Sequence, residues 1–224
     1  MARIYSAGKS RKTVTAKQRM YTKTRPNQRA RIGTAVFAAN PPRRQEIKAI
    51  DYSYTASAIT STGGVLLLNG MSLGDGTNER EGKAVQSMFV KLSMDAYNND
   101  VVVGEGYRIF LVWDKQPNGI IATWSDIFVS ANVNTIQRQD TKQRYTVLKT
   151  WKGAVSNNNN SGLAVAVTPY NLYDATIPIK KMSMYTGTGS SIASLQQGAL
   201  YLCAISRSGK VNLVVTSQFA FIDV

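Results

Sequence analysis

The sequence has no histidine, one cysteine (Cys203), only six prolines and no long apolar run. Each absence excludes something. Without histidine there is no Ser/His/Asp or Cys/His nucleophile system and no imidazole metal ligand. A single cysteine cannot close an internal disulfide or a CxxC pair, so Cys203, in an apolar segment, reads as a small buried hydrophobe. No stretch approaches the roughly 18 apolar residues that span a bilayer, which predicts no membrane insertion. The chain start lacks the apolar run of a secretory signal, about seven residues or more, so the expected setting is intracellular. On that reading the sequon Asn159-Asn160-Ser161 is a loop coincidence.

Acidic residues are scarce as well: 13 Asp+Glu face 27 Lys+Arg, for a net charge of +14. Such a balance points to a polyanionic partner, nucleic acid or an anionic membrane face. A hydrophobic content of 43% fits a folded chain, not a disordered one. One domain of this length buries roughly 70% of its unfolded surface.

What is present is unevenly placed. Residues 1–45 carry twelve basic side chains and no acidic one: Arg3, Lys9, Arg11, Lys12, Lys17, Arg19, Lys23, Arg25, Arg29, Arg31, Arg43 and Arg44. From Glu46 onward fifteen basic residues face thirteen acidic ones. The chain therefore reads as a basic arm, 1–45, on a nearly neutral body, 46–224. With few large apolar groups, the arm is expected to be disordered when free. Pro41-Pro42 punctuates its end.

The body reads as strands joined by turns. Gly106–Lys115 has bulky residues at both parities, as in a strand covered on both faces. Asn118-Gly119 follows as a turn signal. Val211, Leu213, Val215, Phe219 and Phe221 repeat with period two. Ala199–Ser206 precedes them across the tight turn Arg207-Ser208-Gly209-Lys210. Further candidate strands are Ile47–Ser57, Val65–Leu68, Ala84–Tyr97, Arg144–Val155, Leu163–Val167 and Ile177–Met184. Thr123–Ser130 alone looks like a short helical or irregular insertion. About eight or nine strands and almost no helix predict an all-β sandwich or barrel. An immunoglobulin-type sandwich would call for a Cys…Trp…Cys spacing that one cysteine cannot supply.

Four segments carry a family resemblance. Asn69–Asp95, with Arg80, Gly82 and Lys83 as markers, resembles a coat-protein segment with Arg-x-Gly-Lys before a strand. Phe110–Asn118 is similar to a Phe-Leu-Val-x-Asp-x-x-Pro strand end. Arg144–Val155 matches Arg-Tyr-x-Val-Leu-x-x-Trp through Arg144, Tyr145, Val147, Leu148 and Trp151. Ala199–Ser206 and Val211–Val224 parallel the last two strands. In this order, over about residues 66 to 224, the chain resembles the coat proteins of geminiviruses. Those are usually somewhat longer and often carry zinc-finger-like Cys/His residues. This chain has none of the histidines, so it is placed with geminivirus-like coat proteins of small circular single-stranded DNA viruses, not with geminiviruses proper.

The resemblance implies a single jelly roll, an eight-stranded antiparallel β-sandwich with a disordered basic N-terminal arm. It also implies a homo-oligomeric icosahedral shell of about 60 copies or a multiple. Such a protein would reside in the virion, and in the host nucleus before assembly. The twelve arm cations are the candidate nucleic-acid-binding residues, acting on phosphates without reading sequence. If all engage single strands, the log–log salt slope would approach about −8, at about −0.7 per phosphate. Lys9-Ser10-Arg11-Lys12 and Lys23–Arg31 could also meet a nuclear import receptor. Tyr5, Tyr21 and Phe37 are stacking candidates.

Other features read as turn or packing chemistry. Gly8-Lys9-Ser10 lacks the first glycine of a phosphate-binding loop, and Gly187-Thr188-Gly189 lacks a third small residue. Asp75, Glu79 and Glu81 could meet a cation, but fit better as a solvated loop with Arg80 and Lys83 nearby. Trp113, Trp124 and Trp151 read as core or interface anchors. Only 28 of the 179 body residues are charged, against roughly a quarter in typical proteins, which suits either a Ser/Thr/Asn-rich β surface or extensive interface. No cofactor, metal or catalytic constellation is called for, so the protein is not expected to be an enzyme. Two alternatives to a DNA-packaging shell stay open. One is a satellite-type RNA virus coat. The other is a non-assembling nucleic-acid-binding protein using Lys142, Arg144, Lys149 and Lys152.

Overall fold

A strand with large side chains at successive positions has to be covered twice. The computed structural model, which describes residues 46–98, 104–156 and 170–224, shows how the chain does this. The chain divides into two units, Met1–Arg43 and Arg44–Val224, and every described residue falls in the second.

Nine strands follow in order: β1 (Ile47–Ile59), β2 (Gly64–Leu67), β3 (Ala84–Asn98), β4 (Glu105–Asp114), β5 (Tyr145–Val155), β6 (Tyr170–Tyr185), β7 (Leu195–Gln197), β8 (Ala199–Ser206) and β9 (Val211–Asp223). One sheet has the order β1-β9-β3-β6-β7 and the other β2-β8-β4-β5. Pairing is antiparallel throughout. β7 is a three-residue addition that pairs only with Met184 and Tyr185. The other eight strands form two four-stranded sheets, and the chain crosses between them at every step of the sequence β1-β2-β3-β4-β5-β6-β8-β9 except β4 to β5. That winding is the jelly roll expected from the sequence.

Along β4, Ile109, Leu111 and Trp113 face the opposite sheet, on the parity of Tyr107, whose hydroxyl meets that of Tyr173 on β6. Phe110 and Val112 point the other way, yet they are buried too. Their cover is the connection between β4 and β5, residues 115–144. It carries a short helix, α1 (Trp124–Ile127), within the segment where the sequence predicts a helical insertion. Trp124 meets Phe110 edge-to-face with centroids 6.0 Å apart, and Phe128 lies tilted against it at 4.4 Å. The helix start is fixed by Thr123, whose backbone N–H and hydroxyl each donate to Asp126 Oδ2 at 2.7 Å. These bonds hold the Asp126 carboxyl below its ordinary range. Gly63 (φ +85°) lets the β1–β2 turn pass under this cluster, because a Cβ there would lie 2.2 Å from the Trp124 ring.

Predicted and observed strands agree best where burial is two-sided. β6 begins at Tyr170, seven residues before the predicted Ile177, because its first half alternates with polar residues and is held by register with β3, from Tyr97↔Tyr170 onward. The predicted strand Leu163–Val167 lies outside the described residues. Trp113, Trp124, Trp151 and Cys203 are all buried.

Candidate functional site

The twelve predicted nucleic-acid-binding residues, Arg3 through Arg44, lie outside the described residues, as do Tyr5, Tyr21, Phe37 and Gly8-Lys9-Ser10. The body's own cations can be placed, and several have structural partners. Lys48 is 5% exposed and sits between Glu81 (2.6 Å) and Asp223 (3.3 Å), tying β1, the β2–β3 loop and the end of β9 together. The Glu81 contact raises its pKa against the opposing cost of burial.

Arg80 corrects the expectation of a solvated loop. Only 1% of it is exposed. Its Nη1 donates to the Gly82 carbonyl at 2.7 Å and its Nη2 to the Gly187 carbonyl. The guanidinium lies 4.4 Å from the Tyr185 ring centroid. Carbonyl dipoles and a ring face stand in for a carboxylate, since no ion pair to Arg80 is found among the described residues. Lys83 is exposed, as expected. The markers Arg80 and Gly82 thus build a loop anchor. Beside them Asn69, fully buried, donates to Ser183 Oγ and the Gly198 carbonyl and accepts from the Leu200 N–H, joining strands of both sheets.

Asp75, Glu79 and Glu81 do not converge. Glu79 accepts from the Gly76 N–H (3.0 Å) and Ser72 Oγ (3.2 Å), while Glu81 turns to Lys48 and Asp75 is exposed. Among the described residues no group of three His, Cys, Asp or Glu side chains could hold a metal ion. No helix among them is long and apolar enough to cross a membrane.

Lys142, Arg144, Lys149 and Lys152 do not form one basic face. Arg144 is clamped on Asp114. Lys149 and Lys152, three apart on β5, point to opposite faces of the sheet.

Apolar exposure is the surface feature that the sequence did not reveal. Ile120, Val129, Ile136, Tyr170 and Leu172 are each 60% or more exposed. Val129 and Ile136 stand side by side through a backbone bond, Val129 N–H to Ile136 carbonyl, at 3.0 Å. No periodicity marks these positions; they are identifiable only once the sheets are assembled.

A jelly roll is one of the scaffolds on which viral coat subunits are built. The chain belongs to the geminivirus coat protein/nuclear export factor BR1 family, whose sequence model matches residues 2–223. It is 24% identical over 200 residues to the capsid protein of Miscanthus streak virus (isolate 91), covering 77% of this chain and 78% of that one. Family and relative together make it a capsid protein. Among solved structures, Desmodium yellow mottle tymovirus matches 80% of this chain and 88% of its own at 10% identity, with a TM-score of 0.30. Dimeric latent PorU from Porphyromonas gingivalis matches 80% of this chain at 11% identity and a TM-score of 0.39, and the chain spans 13% of its length. The fold assignment rests on the strand order, not on these likenesses.

Proposed function

We propose that this capsid protein self-assembles into an icosahedral shell and packages single-stranded DNA through its N-terminal arm. The observation that carries this reading is the charge partition: twelve cations without a counter-charge in residues 1–45, and a net +2 in the rest. Five body cations, Lys48, Arg80, Arg108, Arg138 and Arg144, already have bonding partners within the fold. With the body close to neutral, electrostatic capture of phosphate falls mainly to the arm, which releases counterions without reading bases. The apolar surface residues supply contacts between copies. The role is structural and not enzymatic.

Electron microscopy of the purified full chain is expected to show closed particles about 20 nm across, built by icosahedral packing. Only monomers over a wide range of salt and pH would overturn the shell. Nuclease treatment of the packaged material identifies the cargo: DNase-sensitive, RNase-resistant nucleic acid supports DNA, and the reverse identifies an RNA coat. The family description also includes nuclear export factors. A chain that binds DNA but never forms particles would match the non-assembling reading. Entry into the host nucleus before assembly rests on Lys9–Lys12 and Lys23–Arg31, and loss of nuclear fluorescence on changing both clusters to Gln tests it.

A further inference from the structure

Two surface features lie at opposite ends of β2, one convex and one concave. The convex one is a narrow hairpin, residues 128–137, within the 115–144 connection, with an antiparallel bridge between Phe128 and Gln137. Val129 and Ile136 are the next cross-strand pair, so their side chains share a face. They are 62% and 68% exposed. One depression is lined by Val129 and Ser130 together with Thr62 and Gly63, which places this knob beside the start of β2. Arg108 Nη1 donates to the Thr135 carbonyl at 2.7 Å, and Arg108 stands directly opposite Lys152 on β5. Lys152 therefore flanks the knob; it is exposed and has no ion pair among the described residues.

The concave feature is the seam between β1 and β2, where no strand pairing occurs among the described residues: β1 pairs with β9 and β2 with β8. Tyr52 shows the consequence. It is in register with the buried Ser217, yet it is 39% exposed. The opening is an apolar crevice of about 330 Å³ lined by Ile50, Tyr52, Val65, Leu66, Leu67 and Ile121, beside the end of β2. Asp51, exposed, stands at its rim. It accepts from Gln218 Nε2 at 3.1 Å and has no ion pair among the described residues.

We propose that Val129 and Ile136 of one copy insert into this crevice of the next, with Lys152 of the first meeting Asp51 of the second. This rests on the shell reading and specifies one of its contacts. Size, charge and position agree. An apolar cavity of about 150 Å³ already takes a benzene ring, so the crevice has room for two branched side chains. The flanking charges are of opposite sign, and such pairs set the register of a contact. Knob and crevice are different parts of the chain, so the contact is head-to-tail and can close a ring of copies. Insertion needs no strand pairing at β1, where the Ala49 N–H already donates to the Thr77 carbonyl at 3.3 Å. Side chains seated in a pocket are the usual anchors of a larger interface.

Cysteine cross-linking tests this on the full chain, since Cys203 is completely buried. Chains carrying Ile136→Cys are co-assembled with chains carrying Tyr52→Cys and oxidised. A species of twice the chain mass is expected, and it should be absent when Leu172→Cys replaces Tyr52→Cys. Chains carrying both Ile136→Cys and Tyr52→Cys should give a ladder of multimers, because a head-to-tail contact propagates. No mixed species, or dimers from Ile136→Cys chains alone, overturns the proposal. Charge reversal provides a second readout: Lys152→Glu and Asp51→Lys should each stay folded by circular dichroism and lose particles, and a chain carrying both should regain them. Particles retained by both single variants, or not restored in the double one, also overturn it. Wild-type particles that form while these tests fail defeat this contact alone, whereas wild-type chains that never assemble defeat the shell reading itself.

Discussion

Arg144 grips Asp114 with two parallel bonds, Nε to Oδ1 at 2.9 Å and Nη2 to Oδ2 at 2.8 Å. Asp114 is fully buried and Arg144 is about a quarter exposed. The pair closes the base of the 115–144 connection, where β4 ends and β5 begins. Two motif segments of the sequence, Phe110–Asn118 and Arg144–Val155, meet in it.

Removing one partner leaves a buried charge uncompensated. Arg144→Met should therefore cost about 3 kcal/mol of stability, while Arg144→Met combined with Asp114→Leu should recover much of that loss. Urea denaturation of the four proteins in this cycle measures it. Equal stability of wild type and Arg144→Met would show that the pair contributes nothing.

Gly63 is required for two reasons, its positive φ and the Trp124 ring above it. Gly63→Ala should lower stability by about 1–3 kcal/mol, through backbone strain and overpacking. The loss should be accompanied by a changed near-ultraviolet signal from Trp124. An unchanged melting temperature would mean that the 115–144 connection does not seat on the β1–β2 turn as described.

Buried tyrosines should make the fold sensitive to alkali. Burial pushes the Tyr145 phenol up to about 12 and raises Tyr107, Tyr185 and Tyr201 too. An unfolded tyrosine ionises near 10, so the stability these groups contribute is complete below about pH 10 and is lost as pH rises past it. Phenolate absorbance should rise in two stages, exposed tyrosines first and these four only with unfolding. A single transition near pH 10 in folded protein would contradict their burial.

Much of the fold was legible in the sequence, because its strongest strands are those buried on both faces. Gly106–Lys115 announced a two-sided strand, though not that residues 115–144 would supply the second cover, since contacts of that kind have no local signature. The polar first half of β6 was missed because pairing with β3, not composition, makes it a strand. At the site level the charge division was plain from counting. Arg80 was misjudged because a charged residue beside glycines in a loop usually faces water. Its burial depends on carbonyls of Gly82 and Gly187, the second more than a hundred positions away. The unclosed seam between β1 and β2 had no sequence signal, since Tyr52, Val65 and Leu66 look like ordinary core residues.

The central claim is that the arm's charge, and not the body, holds the genome. The direct measurement is the amount of nuclease-protected DNA in particles of wild type and of a variant with all twelve arm cations changed to Gln. The account predicts that the variant keeps the wild-type melting temperature and still assembles, but protects almost no DNA. Equal protected DNA in the two preparations would contradict it.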